Sequence, residues 1–422
     1  MKPSPSKPSF DAAGLKREFP GLADPALHYL DSAATAQMPE AVLGALRRFE
    51  VEARANVHEG MHARARAATG AYDRARTSVA RFLNAGSDQE VVFTYGATSS
   101  INMLAHSFGG LLRPGDEILL SILEHHSNLV PWQMLAQQRG VLLRFLPMTP
   151  EGRLDLDQLD SELTERCRLV ALTHCSNVTG AVTDVGRVVA AAHAVGAKVM
   201  LDGAQRAPHG PLDLRELDVD FYVFSGHKTY GPTGIGVLWG RRHLLDAMPP
   251  FMTGGQMIEE VTPTRATFRS PPRRFEAGTP PIAAAVGLGA ALDWMQALDW
   301  GAIRGYEQRL TRRLLDGLAS IAGVRVLGPL DTHDRRGVIS FTVAGFSAAD
   351  VCRHLDSRGV ALRGGHHCAQ PLVHAFRVDS AARASLAPYS QMVDVEVLLD
   401  GLEWLVRGKP GPAQRSRLRI ES

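Results

Sequence analysis

Phe221-Tyr222-Val223-Phe224-Ser225-Gly226-His227-Lys228 is a nearly all-apolar, β-rich run that ends abruptly in Ser-Gly-His-Lys. A run without apolar–polar alternation is the text of a strand buried on both faces, as in the parallel sheet of an α/β protein. A lysine at the mouth of such a strand is either a solvated loop residue or an amine whose pKa desolvation lowers, which suits it to bond a carbonyl carbon. About one helix–strand repeat upstream, Val199-Met200-Leu201-Asp202-Gly203-Ala204-Gln205 ends a second apolar run in a carboxylate. A buried aspartate needs a cation or a donor as partner.

Working outward, strands are predicted at Val91–Thr94, Glu117–Ser121, Leu142–Leu146, Leu169–Thr173, Lys198–Asp202, Phe221–Ser225 and Gly236–Trp239. Val185, Val188, Val189, Ala192 and Val195 form one helical face between two of them. Helices are also expected over Glu40–Arg54, His62–Phe82 and Ile282–Leu298, with a long irregular segment over Pro249–Pro281. A second α+β unit follows from Arg304 to Leu405, with strands near Val338–Thr342 and Val360–Arg363. The fold class is α/β: a mostly parallel seven-stranded sheet in a large domain, with a smaller α+β domain.

The chain has 422 residues, and 46 Lys+Arg against 44 Asp+Glu leave a formal charge of +2. That balance gives no general attraction to nucleic acid or to an anionic membrane. The longest stretch without a charged residue, Val91 to Leu112, carries Thr, Ser, Asn, His and Gly, which a spanning helix would avoid. Met1–Phe10 has no apolar h-region and reads as a mobile tail, not a secretory signal. Cys167, Cys175, Cys352 and Cys368 form no CxxC pair and no metal spacing, so no metal is expected and a reducing, cytoplasmic setting fits.

The unusual polar residues fall at strand ends. Thr98 follows the first strand, Glu124-His125-His126 the second and Asn177 the fourth. Asp202 ends the fifth, and Ser225 to Lys228 the sixth. Ligands of an open α/β sheet bind at that edge, so these clusters imply one site. Tyr95-Gly96-Ala97-Thr98-Ser99-Ser100 is a strand-to-helix turn of small residues, an ordinary cap or an anion seat. Lys228, Asp202 and an anion seat together are the parts of a pyridoxal phosphate site: an amine for the aldehyde, a carboxylate for the ring nitrogen, a turn for the phosphate.

At this point the chain resembles the cysteine desulfurases of the class V aminotransferase fold (fold type I of the pyridoxal phosphate enzymes), specifically the SufS-like group. The matching text includes Tyr29-Leu30-Asp31-Ser32-Ala33-Ala34, Glu124-His125-His126-Ser127-Asn128, Thr173-His174-Cys175-Ser176-Asn177 and Ser225-Gly226-His227-Lys228. It continues with Arg274-Phe275-Glu276-Ala277-Gly278-Thr279-Pro280, Arg363-Gly364-Gly365-His366-His367-Cys368-Ala369 and Arg383-Ala384-Ser385. The resemblance implies that Lys228 holds the cofactor and moves the Cα proton, with Asp202 on the ring nitrogen, Gln205 on the ring hydroxyl and His125 on the ring face. Ala97, Thr98, Ser225 and His227 would hold the phosphate, and Thr279 would reach the site of a partner subunit in a homodimer. Asn177, Arg383, Arg363, His58 and Ala33 would line the substrate. Cys368 would take the sulfur of L-cysteine as a persulfide for iron–sulfur cluster assembly, leaving alanine, with Arg363, His366 and His367 lowering its pKa.

The resemblance divides the chain into a tail (1–18), a small domain (19–35 with 300–406), a large cofactor domain (36–299) and a basic tail (407–422). Gly364 stands where many relatives have a larger residue, so a more mobile Cys368 loop is expected. Phe346–Val351 lacks the histidine of relatives served by SufU, while Ala369-Gln370-Pro371 resembles those relatives. The sulfur acceptor therefore stays open between SufE and SufU types. A selenocysteine lyase, a lyase or aminotransferase independent of Cys368, and a non-catalytic sulfur carrier are the rival readings.

Overall fold

The structure, a computed structural model, describes residues 10–408. Seven strands form the large sheet, in spatial order Val91–Thr94, Gly236–Gly240, Phe221–Ser225, Lys198–Asp202, Cys167–Thr173, Glu117–Ser121 and Leu142–Leu146. Gly236–Gly240 runs antiparallel to both neighbours, and the other pairs are parallel. The expected mostly parallel sheet is the observed one.

Both faces of this sheet are covered. Tyr222 and Phe224 pack on one side with helices Ala63–Phe82, Val185–Ala194 and Ile282–Gln296. Phe221 and Val223 pack on the other with helices Ala97–Ser107 and Val130–Arg139. That double burial is why the central strands read as continuous apolar runs.

The smaller sheet is antiparallel, in spatial order Val324–Leu327, Val338–Val343, Ala381–Ser385 and Arg363–Gly365. Leu310, Leu314, Val351, Leu355, Leu398 and Leu402 cover it, and Leu30 from the N-terminal stretch joins the same core. Trp300 and Ile303 pack instead with the large sheet, so one helix, Trp300–Ser320, serves both cores.

The two sheets are bonded together below the site. The Arg335 guanidinium donates to the carbonyls of Pro329, Thr179 (3.0 Å) and Val338 (2.8 Å). Ser340 Oγ donates to the Val178 carbonyl at 2.7 Å. The loop after Cys167–Thr173, which carries Asn177, is thereby tied to the small sheet.

Several expectations need correction. The tail expected through residue 18 is shorter: Ala12–Lys16 is a helix capped by Asp11, Leu15 is buried, and Lys16 lies 3.8 Å from Asp394. Residues 1–9 and the basic stretch with Lys409, Arg415, Arg417 and Arg419 lie outside the described residues. The segment Pro249–Pro281 contains a hairpin, Ile258–Val261 with Ala266–Phe268. The single strand expected at Val360–Arg363 is two. Val360–Ala361 pairs with His28–Tyr29, and Arg363–Gly365 pairs with Ala381–Ser385. The helix expected over Glu40–Arg54 ends as an α-helix at Arg48 and continues as a π turn over Phe49–Ala53. Among the described residues, no helix is long and apolar enough to cross a membrane.

Candidate active site

A cavity of about 250 Å³ opens at the carboxyl ends of the parallel strands, against the small sheet. It is lined by Ala33, Ala97, Thr98, His125, Asn177, Asp202, Gln205, Ser225, His227, Lys228, Arg363, Cys368 and Arg383. Every residue expected in the site is therefore brought together, except His58 and Thr279.

Strand order explains the first part of this convergence. Gly236–Gly240 inserts between Val91–Thr94 and Phe221–Ser225 and brings their ends side by side. A Cβ on Gly236 would lie 2.4 Å from the Gly96 Cα, so glycine there lets the turn close over the strand. Gly96 itself has φ +131°, outside the range of ordinary side-chain-bearing residues. The Ala97 N–H, first in its helix, donates to Ser225 Oγ at 2.9 Å. The Ser225 hydroxyl proton is thereby directed elsewhere, at a helix N-terminus that favours an anion.

Lys228 and Asp202 both line the cavity. Burial lowers Lys228 to about 8, against the opposing charge of Asp202. Burial raises Asp202, while the Ala204 N–H at 2.9 Å and Lys228 hold it down. Gln205 Nε2 donates to the Ala33 carbonyl at 2.7 Å, which fixes the amide plane. Burial and Lys228 lower His227 to about 4, so the ring is neutral; its Nδ1 lies 3.1 Å from Thr35 Oγ1.

His125 is held in one tautomer. Its Nδ1 accepts the Ser127 N–H at 3.1 Å, so the proton of the neutral ring is on Nε2. Burial and then Lys228 lower it to about 3. Behind it Glu124 is fully enclosed. It accepts from Ser121 Oγ (2.5 Å), Asn128 Nδ2 (2.6 Å) and the Thr173 N–H (3.0 Å), yet burial still pushes it up to about 8.

Cys368 is exposed, and both it and His367 have left-handed backbones, φ +53° and +52°. The loop is anchored on each side. Asn177 Nδ2 donates to the His367 carbonyl at 2.6 Å, and the His126 N–H to the Cys368 carbonyl at 2.6 Å. His126 Nε2 also accepts the Gln370 N–H at 3.0 Å. Gly364 itself is paired in a sheet, and a Cβ there would meet Ala348 O and Cys352 Sγ at 3.1 Å, so a larger residue would need those neighbours to give way. His367 is not the cation expected beside the thiol. Burial and Arg383 lower it to about 3, although its Nε2–H donates to the Ala381 carbonyl at 3.0 Å.

Cys175 also lines the cavity, but burial pushes its thiol up to about 12, so it stays protonated. His58 stands apart. Its Nδ1 accepts from Arg273 Nη2 at 3.1 Å, and burial with Arg273 lowers its pKa. Thr279 is exposed on the surface of the chain. Sequence reasoning overlooked Asp31, which contacts both Arg363 and Arg383. It lay inside a quoted motif but followed no apolar run that would have marked it.

An amine of lowered pKa, an enclosed carboxylate and a helix N-terminus with a poised hydroxyl fit pyridoxal phosphate in kind. An exposed thiol and two guanidiniums line the same cavity.

Comparison with known proteins agrees with this geometry. The model of the family described as "Aminotransferase class-V" matches residues 28–398. The chain is 49% identical over 383 residues to a "Cysteine desulfurase" of Dickeya dadantii, covering 90% of this chain and 92% of that one. It is 43% identical over 404 residues to a "Probable cysteine desulfurase" of Streptomyces coelicolor, covering 93% and 96%. Among solved structures, the cysteine desulfurase CsdA of Escherichia coli superposes with a TM-score of 0.88 at 43% identity, over 95% of this chain and 99% of that one. An apo cysteine desulfurase of Thermococcus onnurineus superposes with a TM-score of 0.91 at 36% identity, over 96% and 100%. The chain belongs to the class V aminotransferase family.

Proposed function

We propose that the chain is a pyridoxal phosphate-dependent cysteine desulfurase. One observation carries this reading: the lowered-pKa amine of Lys228, the carboxylate of Asp202, two arginines and the exposed thiol of Cys368 share a single cavity. L-cysteine and the Cys368 thiol become L-alanine and a Cys368 persulfide, which balances in atoms and electrons. The cofactor, when bound, supplies an electron sink for the bond to the substrate Cα.

The residues divide the remaining work. Lys228 holds the aldehyde and then carries the Cα proton, and its lowered pKa leaves more of the amine neutral near neutral pH than in an ordinary lysine. Asp202 pairs with the protonated ring nitrogen, and Gln205 meets the ring hydroxyl. His125, neutral and with its proton on Nε2, offers a donor to the ring. Thr98, Ser225 and His227 bind the phosphate, and Ala97 contributes by orienting the Ser225 hydroxyl. Arg383, Arg363 and Asn177 seat the substrate carboxylate, with Ala33 in the same lining. Cys368 forms a bond to the substrate sulfur as the C–S bond breaks.

Residues 36–299 form the cofactor-binding unit in this reading, and 19–35 with 300–406 bring Cys368 and Arg383. A second copy of the chain completes the site through Thr279. The persulfide passes to an acceptor protein of the SufE or SufU type, for iron–sulfur cluster assembly in the cytoplasm.

The experiment is alanine and sulfide release from L-cysteine in the presence of a reductant, with wild type beside Cys368→Ser. Equimolar products from wild type, and a cofactor-coloured but inactive variant without a persulfide, are expected. Unchanged release by the variant would make Cys368 incidental and the enzyme a thiol-independent lyase.

A further inference from the structure

Glu124 is buried directly before His125, and the division of work proposed above leaves it without a task. Its carboxyl meets three donors. Oε1 accepts from Ser121 Oγ at 2.5 Å and from the Thr173 N–H at 3.0 Å, and Oε2 accepts from Asn128 Nδ2 at 2.6 Å. The direction of these bonds is set by the next partners out. Ser121 Oγ already accepts the Leu123 N–H at 3.1 Å, which leaves its own proton for Glu124. Asn128 Oδ1 accepts the Trp132 indole N–H at 2.9 Å, and Nδ2 also donates to the Ala171 carbonyl at 3.1 Å, so this amide cannot turn over. Both carboxyl oxygens must therefore accept. An amide in the same place has one acceptor and would set its NH2 against a donor.

The three bonds join segments distant in sequence. Ser121 ends one strand, Thr173 ends the strand beside it, and Asn128 closes the turn that begins at Glu124. Thr173 stands opposite Asp202 in a parallel pair, and both line the cavity. His125 lines the same cavity from the turn that Glu124 pins. The His126 N–H of that turn also holds the Cys368 carbonyl at 2.6 Å. One carboxyl thus ties the turn of His125 to the strand edge of Asp202.

We propose that Glu124 is a positioning residue for the cofactor: accepting from Ser121, Asn128 and Thr173 at once, it fixes His125 relative to Asp202 and so sets how the pyridine ring is held between them. This rests on the reading that His125 and Asp202 meet that ring.

The test is the visible circular dichroism of the holoenzyme, which reports how the bound ring is held, with cofactor retention on dialysis beside it. It is run at pH 9, above the value of about 8 to which burial raises Glu124. Glu124→Gln should lose much of the visible band and retain pyridoxal phosphate roughly tenfold more weakly, the scale of one buried bond to a charged group. Ser121→Ala removes a single donor and should move both readouts the same way by less. It decides the matter if Glu124→Gln fails to fold. Folded variants with the wild-type band and retention, even with a lowered melting temperature, would make Glu124 a purely structural group and overturn the inference. A wild type that takes up no pyridoxal phosphate would overturn the cofactor reading, and this inference with it.

Discussion

The Asn177 side chain donates to the His367 carbonyl at 2.6 Å, across the junction between the two sheets. Asn177 stands on a loop of the large sheet that is itself tied to the small one through Ser340 and Arg335. His367 precedes the thiol that the proposed function uses. A residue expected to meet the substrate thus also holds the loop from which Cys368 would act.

Lys228 gives a prediction in pH. An amine adds to an aldehyde only in its neutral form, and burial lowers this one to about 8, from the ordinary lysine value of about 10.4. The rate at which apoprotein takes up pyridoxal phosphate should therefore rise with pH through a midpoint near 8, followed by visible absorbance. Asp202 opposes the lowering, so Asp202→Asn should move the midpoint below the wild-type value. A midpoint near 10 would contradict the burial of this amine.

Thr279 gives a prediction in cofactor retention. Glu276, at the start of its segment, accepts two bonds of 2.7 Å from Arg76, one of 2.7 Å from the Phe93 N–H and one of 3.1 Å from Tyr72. The segment is thus fixed at its root while Thr279 points outward. If a second copy receives it, Thr279→Ala should retain pyridoxal phosphate roughly tenfold more weakly on dialysis, the scale of one charge-assisted bond. Equal retention would argue against a shared site.

The buried His209–Glu307 pair gives a prediction in stability. Burial alone would raise Glu307, but His209 at 3.0 Å and the Gly337 N–H at 2.7 Å overcome it and bring the carboxyl down to about 2. A depressed carboxyl contributes stability above its unfolded pKa and loses it as pH falls toward the folded value. Glu307→Gln should cost roughly 3 kcal/mol at neutral pH. The difference in melting temperature between wild type and variant should shrink between about pH 4.5 and 2. A difference constant over that window would mean that the pair carries no charge.

How much of this was legible in the sequence follows from burial. The strands at Phe221 and Lys198 are enclosed on both faces, so each is written as an apolar run stopped by polar residues, and the stops marked the site. Ala381–Ser385 is equally buried but reads Ala-Ala-Arg-Ala-Ser, without the β-branched and aromatic residues that mark a strand, and it was not anticipated. The hairpin at Ile258–Val261 and Ala266–Phe268 is mostly exposed, so no pattern announces it. Asp31, Arg363 and Arg383 meet only through strand pairing between distant segments, which no local spacing encodes.

The insertion of Gly236–Gly240 between two strands also sets an order in time. Thr98 and Ser225 become neighbours only when that strand has entered the sheet, so a growing chain has no complete phosphate seat until residue 240 has left the ribosome. Arg363, Cys368 and Arg383 are made later still, on a sheet whose strands pair only once residue 385 is available. Cofactor groups are thus assembled before the thiol and the arginines are present, and a chain truncated before Arg363 would display the amine and the carboxylate without the thiol and the two arginines.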